Sequence, residues 1–174
     1  MLDKTLLMKE IRQWSSDVLE KPNKKFNNLP ACPFAEHSWN KKRVKVVSGE
    51  GGLWKDLIQY IQDFDDSYDV IIYCGGDYEE ITCEEFEDRL QILLDVVVKK
   101  NLYIMGSHPD TVIDYSADQE NFESELDEDY YQIYLQRLDT LVKASDSIMK
   151  KGYYKNYPDN VLKMLTERRT KWQA

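Results

Sequence analysis

Two short stretches of this chain hold the side chains best suited to chemistry at neutral pH. Leu29–Asn40, LPACPFAEHSWN, contains Cys32 and His37; Gly106–Asp110, GSHPD, contains His108. Together they carry both histidines and one of the three cysteines. Pro33, directly after Cys32, suits the first position of a short helix, which predicts Cys32 at the N-cap. There, unpaired N–H groups and the positive end of the dipole lower a thiol pKa and attract anions. The alternative is a thiol packed beside Phe34 and Trp39, a common state of free cysteine. His108 has a carboxylate two residues on, Asp110, which can orient the imidazole and raise its basicity or share a metal with it. The competing arrangement is a turn in which Asp110 hydrogen-bonds backbone and His108 is half-buried.

The elements that must position these residues alternate between helix and strand. Leu2, Leu6, Ile11, Trp14, Val18 and Leu19 recur at helical spacing over residues 2–20. Lys21–Asn28, with Pro22 and three asparagines, reads as an exposed loop. Arg43–Ser48 alternates toward valine and predicts a first strand. GEGG at 49–52 then leads into a helix over Leu53–Phe64. This turn has neither the GxGxxG spacing nor the Lys–Ser/Thr of a P-loop, so it reads as a plain βα connection. Asp69–Cys74, DVIIYC, has the continuous apolar run of a central strand. Thr82 with Glu85 gives the capping-box spacing for a helix over Cys83–Lys100, and Asn101 reads as its stop.

Leu102–Gly106 predicts a third strand, with His108 just beyond its carboxyl end, where open α/β sheets bind ligands. Tyr130–Leu135 alternates as a fourth strand, Leu138–Lys151 is an amphipathic helix capped by Gly152, and Asp159–Trp172 reads as a basic closing helix. Cys74 reads as packing, and Cys83 as a weaker thiol candidate than Cys32. The expected architecture is a single α/β domain over residues 1–174. It has a mixed sheet of about four strands in the order βαβαββ, flanked by N- and C-terminal helices. Right-handed crossovers predict three parallel strands with the fourth antiparallel.

Composition narrows the function classes. The chain has 174 residues and a net charge of −9, which argues against a polyanionic partner such as nucleic acid. Lys41–Lys45, KKRVK, is a local basic run of the kind that is usually solvated. No apolar run approaches the roughly 20 residues of a membrane span, and the N-terminus lacks a signal-peptide pattern. A cytoplasmic location and reduced thiols are the expectation. Asp118–Asp129 packs seven acidic residues into twelve and reads as a solvated loop without the EF-hand pattern.

In its CPFA box at Cys32–Ala35, valine-rich strand and later HPD at His108–Asp110, the chain resembles a bacterial family described only as a domain of unknown function. Members also share a leading tryptophan helix. Leu135–Leu141, LQRLDTL, is similar to a family stretch with Arg and Asp at this spacing, and Asn160 matches an asparagine before a final leucine-rich helix. The likeness covers most of residues 10–172. It implies special roles for Cys32, His108, Asp110, Arg137, Asp139 and Asn160. His37 lies outside the pattern, as do Lys21–Asn28 and the acidic loop. The family has no assigned activity, so the resemblance implies a site without a reaction and names no cofactor.

Three functions fit. The first is a thiolate enzyme acting on a small anionic substrate: Cys32 as nucleophile, His108 as acid/base and Asp110 orienting it. Arg137 would bind a carboxylate or phosphate through its planar fork, with Asp139 and Asn160 as further substrate contacts. The second is a metal site, with His37, His108 and Asp110 as a facial triad for iron(II), or Cys32 with both histidines for zinc. The third is a binding or regulatory module in which CPFA and HPD are architectural.

Overall fold

The computed structural model describes residues 3–49, 53–75, 81–110, 130–159 and 162–163. The acidic stretch 118–129, Asn160 and most of the expected C-terminal helix lie outside them. Asp3 opens the first helix, α1 (Lys4–Trp14), by accepting from Thr5 N–H at 2.8 Å and Leu6 N–H at 3.2 Å. The helix is shorter than its apolar spacing predicts. It passes into a π turn, Ser15–Leu19, closed by Glu20 N–H to Ser15 O at 3.0 Å. Such a turn carries one extra residue and redirects the side chains that follow.

Lys21–Asn28 corrects the expectation of an exposed loop. Strands β1 (Pro22–Asn23) and β2 (Leu29–Pro30) pair around a short 3₁₀ turn, Lys24–Phe26. Asn27 and Asn28 take left-handed φ values of 57° and 60°, a conformation asparagine tolerates better than most residues. The turn drives Phe26 inward, where it stacks on Tyr153 at 4.9 Å and packs with Ile148. A single aromatic among polar residues has no periodicity, so its burial comes only from tertiary contact.

The main sheet holds β3 (Val44–Ser48), β4 (Val70–Gly75), β5 (Leu102–Ser107) and β6 (Tyr131–Arg137) in the order β3-β4-β6-β5. β3 and β4 are parallel; β6 is antiparallel to both β4 and β5. Three strands thus run one way and the last returns, as the crossover argument predicts. β6 inserts between β4 and β5, however, and leaves β5 at an edge. With short α2 (Ala35–Asn40), the remaining helices are α3 (Leu53–Gln62), α4 (Cys83–Val97) and α5 (Leu138–Lys150).

Thr82 caps α4 by accepting from Glu85 N–H at 3.2 Å. Asn101, at φ 59°, ends the 3₁₀ turn after α4. Its carbonyl accepts from Leu138 N–H at 2.9 Å and its side chain from Asp139 N–H at 3.0 Å. One residue therefore stops one helix and starts another.

The two sheet faces bury different partners. Val47, Ile71, Tyr73, Tyr131, Ile133 and Leu135 pack with residues of α3 and α4. On the other face Val44, Val46, Ile72, Cys74 and Tyr134 meet Leu7 and Ile11 of α1. Much of the basic run is engaged: Arg43 Nε pairs with Asp69 at 2.7 Å, and Lys45 Nζ lies over Tyr60 and Tyr68 at 5.4 and 5.2 Å. None of the described helices is long and apolar enough to cross a membrane.

Candidate functional site

His108 follows β5 at the point where the sheet meets the start of α4. Gly106 permits this approach, since a Cβ there would stand 2.8 Å from Leu90 Cδ1 and 2.9 Å from Phe86 Cζ. The imidazole is 1% exposed and lies between Phe86 and Tyr131, with centroids at 5.6 and 5.8 Å. Nε2 sits 2.9 Å from Ile81 O, and Nδ1 sits 3.1 Å from Asp110 N. A carbonyl only accepts and a backbone N–H only donates. The proton therefore sits on Nε2, and Nδ1 accepts. Both ring nitrogens are committed to backbone. Asp110 contributes its N–H rather than its carboxylate to this contact. The HPD box here stitches the β5 end to the residue preceding the α4 cap.

Cys32 lies across the sheet. α2 begins at Ala35 and not at Pro33, so Cys32 precedes the helix by a turn, closed by Ala35 N–H to Cys32 O at 3.1 Å. Cys32 N–H donates to Leu19 O at 2.9 Å, which ties the CPFA box to the π turn. The thiol is pushed above its ordinary value by burial, with the Glu20 charge acting in the same direction. Hydrogen bonds from Phe34 and Ala35 N–H oppose that rise without reversing it. Packing beats the helix end here because the helix is short and starts late.

The CPFA turn instead forms one wall of a cavity of about 460 Å³. α1 and the π turn supply Trp14, Ser15 and Leu19; the sheet supplies Ile72, Gln132 and Tyr134; α5 supplies Leu141 and Ala144; and Tyr153 and Tyr157 complete it. Tyr153 Oη donates to Ala31 O at 2.5 Å, fixing the CPFA segment against the residues after α5. Burial raises the Tyr153 and Tyr157 hydroxyls, the latter to about 12, so both remain neutral donors.

Two indoles in this wall differ. Trp39 Nε1–H donates to Ser15 Oγ at 2.9 Å, and that hydroxyl donates to Glu20 Oε1 at 2.8 Å. Trp14 is 9% exposed, and its Nε1–H is buried with no hydrogen-bond partner among the described residues. Its ring packs against Tyr134 at 6.2 Å. Tyr134 Oη donates to the Gln132 side-chain oxygen, and Gln132 is 4% exposed.

The remaining expected site residues disperse. Arg137 borders the cavity, but its guanidinium lies over Phe64 at 5.3 Å and pairs with Asp66 at 2.5 Å. Asp139 sits in the first turn of α5 and accepts from Thr140 N–H at 2.7 Å. Burial alone would raise its carboxyl, but Asn101, Thr140 and Lys143 together hold it below the usual range. His37 is on the exposed face of α2, and Asn160 lies outside the described residues. Cys74 is fully buried, and burial pushes its thiol up to about 12. Among the described residues no three His, Cys, Asp or Glu side chains converge as metal ligands.

Cys32 and Arg137 thus border one cavity, while His108 packs with the residues of the opposite face. Sequence reasoning missed Trp14, Gln132, Tyr134 and Tyr153. The tyrosine-rich YYKNYP connector was the available signal. The chain matches no family model, no curated protein and no solved structure.

Proposed function

We propose that this protein is a small-molecule binding module of the cytoplasm, with the cavity beside the CPFA turn as its ligand site. The observation that supports this reading is the cavity itself. At about 460 Å³ it falls within the roughly 300–1,000 Å³ range of ligand pockets, and it has their mixture of apolar wall and few polar groups. In this reading the CPFA and HPD boxes are architectural. The net charge of −9 supports a partner other than nucleic acid.

The test is a fluorescence titration with the neutral apolar probe N-phenylnaphthylamine. Saturable enhancement at one site is expected for the wild type. Ala144→Trp, which fills the cavity from α5, should abolish it while the melting transition is retained. Leu141→Trp serves if that variant fails to fold. Enhancement that is unsaturable, or equal in the filled variant, contradicts the reading.

A thiolate enzyme is the second reading, favoured by one observation: Cys32 is in the cavity wall. It would need a base other than His108 and a thiol less raised by burial.

A further inference from the structure

We propose that the outer face of α4 is an interface between two copies of this chain, packed antiparallel about a twofold axis at Ile92. The proposal goes beyond the ligand reading and does not rest on it, since α4 lends no residue to the cavity wall.

Burial divides α4 into two faces. Phe86, Leu90, Leu94 and Val97 turn into the core. On the other side Ile92 is 67% exposed and Val96 51%, one turn apart on the same stripe. Ile92 is the most exposed of the large apolar side chains described. Single exposed apolar residues are ordinary on a protein surface. What distinguishes this stripe is the charge around it.

Glu84 and Glu85 stand in the first turn, with Asp88 in the next; Lys99 and Lys100 stand in the 3₁₀ turn at the far end. All five are exposed. Glu85 and Lys99 each lie seven residues from Ile92, about two turns of helix, so the three share a face. Glu85 has an exposed contact with Arg89. Glu84, Asp88, Lys99 and Lys100 form no ion pair among the described residues.

A twofold at Ile92 sets that side chain against its own copy. It also brings Glu84 and Glu85 of each chain to the end of the partner helix that carries Lys99 and Lys100. The stripe is therefore self-complementary, as a twofold contact requires. A parallel pair would set acid on acid and base on base, which disfavours it. The net charge of −9 on each chain opposes association, but at physiological ionic strength charges are screened over about 8 Å, and the local pairing decides. One helix from each copy is a small contact of the weak, transient class, which sets the dissociation constant between about 1 μM and 1 mM.

Sedimentation equilibrium on the full chain over that concentration range should show monomer giving way to dimer. Ile92→Asp, outside the core, should weaken dimerisation by about tenfold or more and leave both the melting transition of the monomer and N-phenylnaphthylamine binding in place. Ile92→Ser serves if that variant fails to fold. Lys99→Glu with Lys100→Glu, and separately Glu84→Lys with Glu85→Lys, should each leave a monomer. Mixing these two double variants should restore a dimer with one copy of each. A wild type that stays monomeric throughout overturns the proposal, as does a dimer unaffected at Ile92. A parallel pair is indifferent to charge reversal at one end, so a dimer that survives either double variant, or a mixture that does not pair, overturns the antiparallel arrangement. Failure of N-phenylnaphthylamine to bind the wild type fells the ligand reading and leaves this one standing.

Discussion

At the carboxyl end of β5 two consecutive residues serve different regions. Ser107 borders the cavity, whereas His108 is enclosed by Phe86 and Tyr131 with both nitrogens bonded to backbone. In the HPD corner the buried imidazole, Ile81 O and Asp110 N–H all have their partners. The cavity, by contrast, is an open volume walled by the CPFA turn, α1, the sheet and α5. A buried histidine with both nitrogens bonded holds a fold together; a largely apolar cavity with few polar groups suits something that comes and goes. Residue type alone pointed the other way, because histidine carries more chemistry than an indole.

The contrast can be broken at its strongest point. His108→Leu leaves Ile81 O and Asp110 N–H unpaired in a buried corner. It should cost about 2–4 kcal/mol in urea unfolding, with N-phenylnaphthylamine affinity unchanged at temperatures where the variant is folded. A cost within about 0.5 kcal/mol, the size of an ordinary surface substitution, would mean the corner is not structural.

A smaller, pH-dependent effect comes from the other face. The Cys32 and Cys74 thiols are raised above their ordinary value of 9.0 by burial. In the unfolded chain they ionise near that value, while the folded protein keeps them neutral. Their contribution is therefore fully present below pH 9 and is lost as pH rises toward about 12. Stability should fall over that alkaline window, less so in Cys74→Ser. In a Cys74→Ser, Cys83→Ser background, Cys32 alkylation should have its midpoint above the ordinary thiol value. A midpoint below it would restore the thiolate enzyme as the better reading.

Much of the fold was legible because it rests on local rules. The apolar run of β4, the Thr82–Glu85 cap, the Asn101 stop and the Gly152 cap each depend on residues close in sequence. The placement of β6 between β4 and β5 was not legible, since strand direction follows from crossovers but strand order follows from which face finds cover. The burial of Phe26 depends on Tyr153, more than a hundred residues away. For the site, sequence identified the CPFA segment but assigned its importance to the thiol. The structure places the segment in a cavity wall shared with α1 and β6. Neither Trp14 nor Gln132 stands out by spacing, because a wall assembled from distant segments leaves no mark on a sequence.

The most direct measurement is the indole region of a proton–nitrogen correlation spectrum during titration with N-phenylnaphthylamine, the four tryptophans assigned by single substitution to phenylalanine. The account predicts that the resonances of Trp14 and Trp39, both in the cavity wall, move and saturate, while that of Trp54, which packs on Phe86 beneath the other face, stays in place. Wall indoles that do not move, or four indoles that shift alike, would contradict it.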